Sequence, residues 1–241
     1  MKLNNNKILI TGGASGIGFA MAERFIKENN TVIICGRRAD ALAEAKEKLP
    51  TVITHQCDLT NEADRVALYT WIANEHPDTN VLVNNAGIQQ WMNVTDEDFF
   101  ARAQTEMATN MEAPVHLSHL FLKHIALTTI MNVTSGLSFV PLTKVPVYSA
   151  TKAFFHSFTL SLRQLVAPHN IEVVEVIPPA LNTDLGGKGL HDYAPPVSEF
   201  IESIFNQLAG GANEVTFGFS ETVSKAGQEV LQPIFNRMNQ N

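Results

Sequence analysis

Tyr148 and Lys152 stand four residues apart in Tyr-Ser-Ala-Thr-Lys, a spacing that puts a phenol and an ammonium on one face of a helix. A free tyrosine titrates near ~10 and is a poor acid or base at neutral pH. A neighbouring cation favours the phenolate and lowers that value, which suits proton transfer at a reacting oxygen. The same pair also arises on solvated helix surfaces, so its meaning depends on what else the chain carries. Far upstream lies Thr11-Gly-Gly-Ala-Ser-Gly-Ile-Gly18. Its glycines let the backbone approach a pyrophosphate, whose charge the N-terminus of the following helix stabilises. The spacing is TGxxxGxG rather than GxGxxG, with an apolar run before it and a helical stretch after it.

These residues need a scaffold, and the chain supplies an alternation of short β-branched runs and longer helical stretches. Strands are expected at Lys7–Thr11, Thr31–Gly36, Val52–Cys57, Asn80–Asn84, Thr129–Thr134, Ile171–Ile177 and near Glu214–Phe217. Helices are expected over Gly16–Glu28, Ala39–Lys48, Glu62–Asn74, a long region Asp96–Lys123, and about Val147–Val166. Seven apolar strands alternating with helices imply an α/β fold: a Rossmann-type, doubly wound, seven-stranded parallel sheet with helices on both faces. No Gly/Ser-rich or Pro-rich linker divides the chain, which reads as one domain over 1–241. The Gly- and Pro-rich stretch 186–196 suits a short substrate lid, about 184–197.

Composition narrows the function classes. The net charge of −7 makes a nucleic-acid backbone an unsuitable partner. No stretch is long and apolar enough to span a membrane, and the first residues lack the apolar core of a secretory signal, so a cytoplasmic location is expected. Cys35 and Cys57 end apolar strand-like runs and read as core thiols rather than a disulfide or metal site. The eight histidines show no metal-ligand spacing such as HExxH, so no metal is expected, and His156 and His191 read as structural or solvated.

With the glycine turn and the Tyr–Lys pair in place, the chain resembles the short-chain dehydrogenase/reductase family over nearly its whole length. The motifs run in order: TGxxxGIG at 11–18, Asp58 after the third strand, Asn84-Asn85-Ala86-Gly87 after the fourth, Asn110 in the next helical region, Ser135 after the fifth strand, then Tyr148 and Lys152. Strings such as Ala113-Pro-Val-His-Leu-Ser118 and Pro178-Pro179 are similar to the DltE-like branch of that family, which implies a bacterial enzyme and no defined substrate. The resemblance implies a nicotinamide cofactor held by Thr11, Gly12, Ser15, Gly16, Ile17 and Gly18, with Asp58 and Leu59 at the adenine. Asn85, Ala86 and Gly87 would support its central part, Lys152 would hydrogen-bond its nicotinamide ribose and Thr183 its carboxamide, with Tyr148 and Pro178 also at the cofactor. Asp58 alone also reads as an N-cap for the helix that starts near Glu62.

The resemblance places Asn110, Ser135, Tyr148 and Lys152 at the catalytic centre. Tyr148 would pass a proton to the developing alkoxide, with Lys152 depressing its pKa. Ser135 would hydrogen-bond the substrate oxygen, and Asn110 would hold a water that links Lys152 to solvent. Ser135 also reads as a turn residue and Asn110 as a polar interruption in a helix. At the end of the second strand Gly36 takes the place where NAD-binding relatives carry an acid, and Arg37-Arg38 follow. A guanidinium can grip a 2′-phosphate, so NADP(H) is favoured over NAD(H), although the family's other basic marker is replaced by Ser15. Pro179 stands where relatives commonly have glycine, which stiffens the backbone there.

The resulting expectation is an NADP(H)-dependent oxidoreductase acting on a small-molecule carbonyl or alcohol. A dinucleotide-sensing binding protein and a sugar-nucleotide epimerase are the competing readings. The pocket is expected from 89–92, 136–139, 145–146 and 185–193. With only Lys144 and Lys188 as cations there, a multiply anionic substrate is disfavoured. The two long helical regions carry more apolar residues than one buried face requires; in the family the chain resembles the equivalent helices pair across a two-fold axis, which implies a homodimer or homotetramer.

Overall fold

The computed structural model describes residues 1–240. Its strands are β1 (Lys7–Thr11), β2 (Thr31–Gly36), β3 (Ile53–Gln56), β4 (Val81–Asn84), β5 (Thr129–Val133), β6 (Glu172–Ile177) and β7 (Glu214–Thr216). They form one sheet in the order β3-β2-β1-β4-β5-β6-β7, with every neighbouring pair parallel. The helices are α1 (Gly16–Lys27), α2 (Ala39–Lys48), α3 (Glu62–Glu75), α4 (Phe99–Met107), α5 (Ala113–Phe121), α6 (Pro146–Val166), α7 (Val197–Ala209), α8 (Phe219–Ser224) and α9 (Gln228–Met238).

A parallel sheet covered on both faces needs strands that are apolar at consecutive positions, and β1 shows it: Ile8, Leu9 and Ile10 are all fully buried. Ile8, Ile10 and Ile34 face one core with Met21 and Phe25 of α1, Leu42 of α2, and Phe200 and Phe205 of α7. The Phe25 and Phe205 rings meet edge-on at 4.8 Å. Leu9, Ile33, Leu82 and Ile130 face the other core, with Leu68 and Ile72 of α3, Leu117 and Phe121 of α5, and Leu162 of α6. The sheet is therefore doubly wound, as the alternation implies, and its strand ends lie within one or two residues of the expected ones.

The expected long helix over Asp96–Lys123 is broken. It divides into α4, a π turn at Ala108–Glu112, and α5. Pro114 has no N–H to return to the Asn110 carbonyl, and the Ala113 N–H reaches back five residues to Ala108 O instead of four. Apolar periodicity barely registers one inserted residue, so the pattern alone reads as continuous. The π turn re-aims Asn110 inward, where it is 1% exposed.

Strand order reverses between β1 and β4. From that point crossovers run in opposite directions and leave a crevice at the carboxyl ends of the strands, the place where open α/β sheets bind ligands. Among the described residues no helix is long and apolar enough to cross a membrane.

Candidate active site

A cleft of about 840 Å³ opens there. The turn after β1, the loop after β4, Arg37 and Arg38 after β2, and Asp58 to Thr60 after β3 form one part of its wall. Tyr148, Lys152, Pro178, Thr183 and the 184–187 stretch form the rest.

The glycine turn is dictated by close approach. Gly12 has φ +64°, and a Cβ there would come within 2.9 Å of Ala86 Cα. A Cβ on Gly18 would come within 2.5 Å of Gly12 O, so α1 can begin this near the strand ends only without side chains. Ser15 precedes α1 in extended backbone and makes no side-chain cap, and the first turn carries no acid. The first amides of α1 therefore point into the cleft without a side-chain acceptor, beside Ser15, Gly16, Ile17 and Gly18. That donor set and the missing Cβ atoms of Gly12, Gly16 and Gly18 fit a pyrophosphate. Thr11 stands behind the wall rather than on it. Its Oγ1 accepts the Asn85 and Ala86 N–H groups at 3.0 Å each and donates to Val83 O, while Asn85 Nδ2 donates to Thr11 O at 2.8 Å. Thr11 thus locks the β1 and β4 loops together.

At the β2 end, a Cβ on Gly36 would meet nothing within 4 Å, so the position of the missing acid is open space. Among the described residues neither Arg37 nor Arg38 joins an ion pair. Asp58 is not the helix cap that its position allows. Asn61 caps α3, its Oδ1 accepting the Ala63 N–H at 2.9 Å, because it stands immediately before the first turn. Asp58 Oδ1 instead accepts the Thr60 N–H and hydroxyl at 3.0 and 2.8 Å. Those bonds, with the Arg37 charge behind them, hold its carboxyl below the usual range. Leu59, on the same wall, accepts from the buried Arg65 through its carbonyl.

Tyr148 and Lys152 lie in the first turns of α6, 6% and 4% exposed, with the lysine Nζ 5.6 Å from the phenol ring centroid. Nζ donates to Val133 O at 2.8 Å, which ties the amine to the end of β5. Burial pushes the Lys152 amine down to about 8. Burial also pushes the Tyr148 hydroxyl above its ordinary value; the facing Ser135 acts the other way and the Glu106 charge adds to the rise. This corrects the expectation of a phenol made more acidic by Lys152. In this dry pocket desolvation is the largest influence on both groups: it raises the phenol and lowers the affinity of the amine for its own proton.

Asn110 sits 22 residues past Ile88 yet holds it on both sides. Its Oδ1 accepts the Ile88 N–H and its Nδ2 donates to Ile88 O, each at 2.9 Å, and Nδ2 also donates to Thr151 Oγ1 at 3.1 Å. A Cβ on Gly87 would stand 3.4 Å from Asn110 Oδ1 and 3.7 Å from Lys152 Nζ, so Asn110, Gly87 and Lys152 converge. Ser135 Oγ accepts the Leu137 N–H at 3.1 Å, the turn role, and also faces Tyr148. Pro178 O accepts the Gly136 N–H at 3.0 Å and binds the β6 turn to the β5 turn. The Thr183 methyl would lie 3.7 Å from a Cβ on Gly16, which places Thr183 beside the start of α1.

The 184–196 stretch carries Gly186, Gly187 and Gly189 at φ +79°, +150° and +80°. A Cβ on Gly186 would stand 2.9 Å from Gln89 Oε1, so the stretch rests on the expected pocket wall at Gln89 and Trp91. Residues the sequence reading overlooked are Thr109, which lines the cleft, Thr151, and the Arg102–Glu106 pair of α4. The signal for the last was two charges spaced four apart, continuing to Asn110. Cys35 and Cys57 are free and buried, the second thiol pushed up to about 12 by burial. His156 Nδ1 pairs at 2.9 Å with the fully buried Glu175, which also accepts the Thr134 hydroxyl. Among the described residues no cluster of three or more metal-ligating side chains occurs.

A crevice at the strand-order reversal, edged by an anion cradle and by a buried phenol and amine, defines a nucleotide-dependent oxidoreductase. Residues 6–193 match the short chain dehydrogenase family, and the chain belongs to it. It is 42% identical over 250 residues to the uncharacterized oxidoreductase DltE of Bacillus subtilis (strain 168), covering 99% of this chain and 98% of that one. Among solved structures, a short chain dehydrogenase from Burkholderia cenocepacia J2315 in complex with NADP superposes with a TM-score of 0.84. It is 24% identical and the match covers 98% of this chain and 99% of that one. A 3-ketoacyl-(acyl-carrier-protein) reductase from Brucella melitensis complexed with NADH superposes at 0.78, with 23% identity over 91% of this chain and 100% of that one. The protein is an NAD(P)-dependent oxidoreductase of this family.

Proposed function

We propose that the protein transfers a hydride between NADP(H) and a small carbonyl or alcohol substrate, with Tyr148 as the acid in reduction and the base in oxidation. The observation that carries this reading is the position of Tyr148 and Lys152, buried on the same cleft as the glycine turn. The nicotinamide supplies the hydride chemistry; the chain positions and polarises. A phenol kept protonated by burial is in the form a reduction needs, and it gives that proton to the alkoxide forming at the carbonyl. Ser135 donates a hydrogen bond to the same oxygen, favouring the charge that builds there. Lys152, with its lowered proton affinity, is suited to pass a proton back to the phenol, with Asn110 at the head of that path. Gly12, Gly16, Ile17 and Gly18 with Ser15 hold the pyrophosphate. Asp58 and Leu59 hold the adenine, Asn85 to Gly87 the central part, and Pro178 and Thr183 the carboxamide end.

The fold accepts either nicotinamide cofactor, as the two neighbours with NADP and NADH illustrate. Selection then falls to the β2 end. Open space at Gly36 and an unpaired guanidinium at Arg37, with Arg38 in support, favour a 2′-phosphate. We read residues 1–241 as one domain, with 184–197 as its lid. The exposed Phe100, Phe154 and Leu165 on α4 and α6 support a homodimer or homotetramer, which light scattering would read.

The test is NADPH oxidation against a panel of ketones, aldehydes and 3-oxo acids. At least one class should consume NADPH. Tight NADPH binding with no oxidation across the panel would instead establish a dinucleotide sensor.

A further inference from the structure

Glu106 of α4 is a carboxylate in a dry wall. It is fully buried, its Oε1 accepts the Gln90 N–H at 3.1 Å, and its Oε2 is closed to solvent without a partner among the described residues. Arg102 lies one turn before it and Asn110 one turn after, and all three grip the same stretch, 88–91. Asn110 holds both backbone groups of Ile88. Arg102 O accepts from Gln90 Nε2 at 3.0 Å, its Nε donates to Gln90 Oε1 at 3.3 Å, and its second terminal nitrogen donates to Trp91 O. Gln89, inside this stretch, lines the cleft.

A carboxylate is an expensive way to satisfy one amide, since burying its charge costs far more than burying a carboxamide of the same shape. The charge itself therefore calls for a reason. Two charged or titratable groups face it: Arg102 from its own helix, shared with Asp96 and Asp98 at 3.6 and 3.5 Å, and the Tyr148 phenol from α6. The 88–92 segment offers only amides and apolar groups. Burial, opposed by the Gln90 N–H and by Arg102, brings the Glu106 carboxyl up to about 7.

We propose that Glu106 is a positioning residue for the substrate pocket: its buried carboxylate anchors the Gln90 amide and so fixes the stretch from which Gln89 lines the cleft. Its kinetic arm rests on the reductase reading above. Protonation of Glu106 weakens its acceptor and removes its charge, so the wall loosens as pH falls through neutrality while the chemistry at Tyr148 persists.

The experiment has two arms. In the first, the backbone amide of Gln90 is followed by ¹⁵N NMR from pH 5.5 to 8.5 in the wild-type chain, which needs no substrate. Its shift should titrate with a midpoint near 7, and the same amide in Glu106→Gln should be flat. In the second, NADPH oxidation is measured with ethyl acetoacetate as the carbonyl probe. In wild type KM should rise about tenfold as pH drops through 7, the loss of one charge-assisted hydrogen bond, with kcat little changed. Glu106→Gln should show the high KM at every pH. A Gln90 amide that does not titrate in wild type overturns the proposal whether or not the probe turns over. Superimposable pH profiles for wild type and Glu106→Gln overturn it as well. A silent probe with a titrating amide leaves Glu106 supported and counts against the reductase reading alone.

Discussion

The two ends of the cleft are built on different physics. At the glycine turn the constraints are steric: Gly12 takes a positive φ, and Gly12 and Gly18 stand where a single Cβ would collide with neighbouring backbone. At the α4–α6 end the constraints are dielectric: Glu106, Asn110, Ser135, Tyr148 and Lys152 are all buried polar groups, and three of them have displaced proton affinities. A steric site fails when atoms are added. A dielectric site fails when charge or a proton is removed, and it answers to pH.

That contrast can be attacked from both sides. The largest effect is expected from Tyr148→Phe, which keeps the ring and deletes the proton. Stopped-flow turnover should fall by about 10²–10⁴-fold, with NADPH affinity changed far less. An equal loss of NADPH binding would show that the two ends are not separable. Gly18→Ala should do the reverse. Its Cβ meets the Gly12 carbonyl, so the turn must shift, and NADPH affinity by fluorescence titration should weaken on the order of 10²-fold. The pH dependence of whatever turnover remains should keep its midpoints. Arg37→Asp should cost about 10- to 100-fold in kcat/KM for NADPH, the worth of charge-assisted hydrogen bonds, while sparing NADH. A wild type that already prefers NADH would end the 2′-phosphate assignment.

The smallest effect is expected behind the catalytic end. The Glu175 hydrogen bond raises His156 above its ordinary value. A raised folded-state value means that the pair stabilises the fold fully below the ordinary histidine range and loses that contribution as pH climbs through the raised one. His156→Gln should therefore lower the melting temperature more at pH 6 than at pH 9, by an amount worth about 1 kcal/mol. Equal losses at both pH values would reduce His156 to a packing residue against Phe139, whose ring lies 4.7 Å away.

The steric end was readable from the chain because its demands are local. A TGxxxGxG turn between an apolar run and a helix needs no distant partner to be recognised, and β1 and α1 lie where that pattern puts them. Tyr148 and Lys152 share a face by helical periodicity alone. Asp58, by contrast, carried two local readings, and the choice between them depended on Asn61 taking the cap. The break at Ala108–Glu112 left only Pro114 as a trace, and Glu106 looked like any charged residue on a helix.

Strand positions, cradle and the pairing of phenol with amine thus follow from hydrophobic period and from backbone geometry, both written in neighbouring residues. Proton affinities do not. Tyr148 is shifted by burial, by Ser135 thirteen residues before it and by Glu106 forty-two before it. Which groups are desolvated together is settled only when α4, the π turn and α6 close on one another. The dielectric around a side chain is a property of the packed volume, and no stretch of chain contains it.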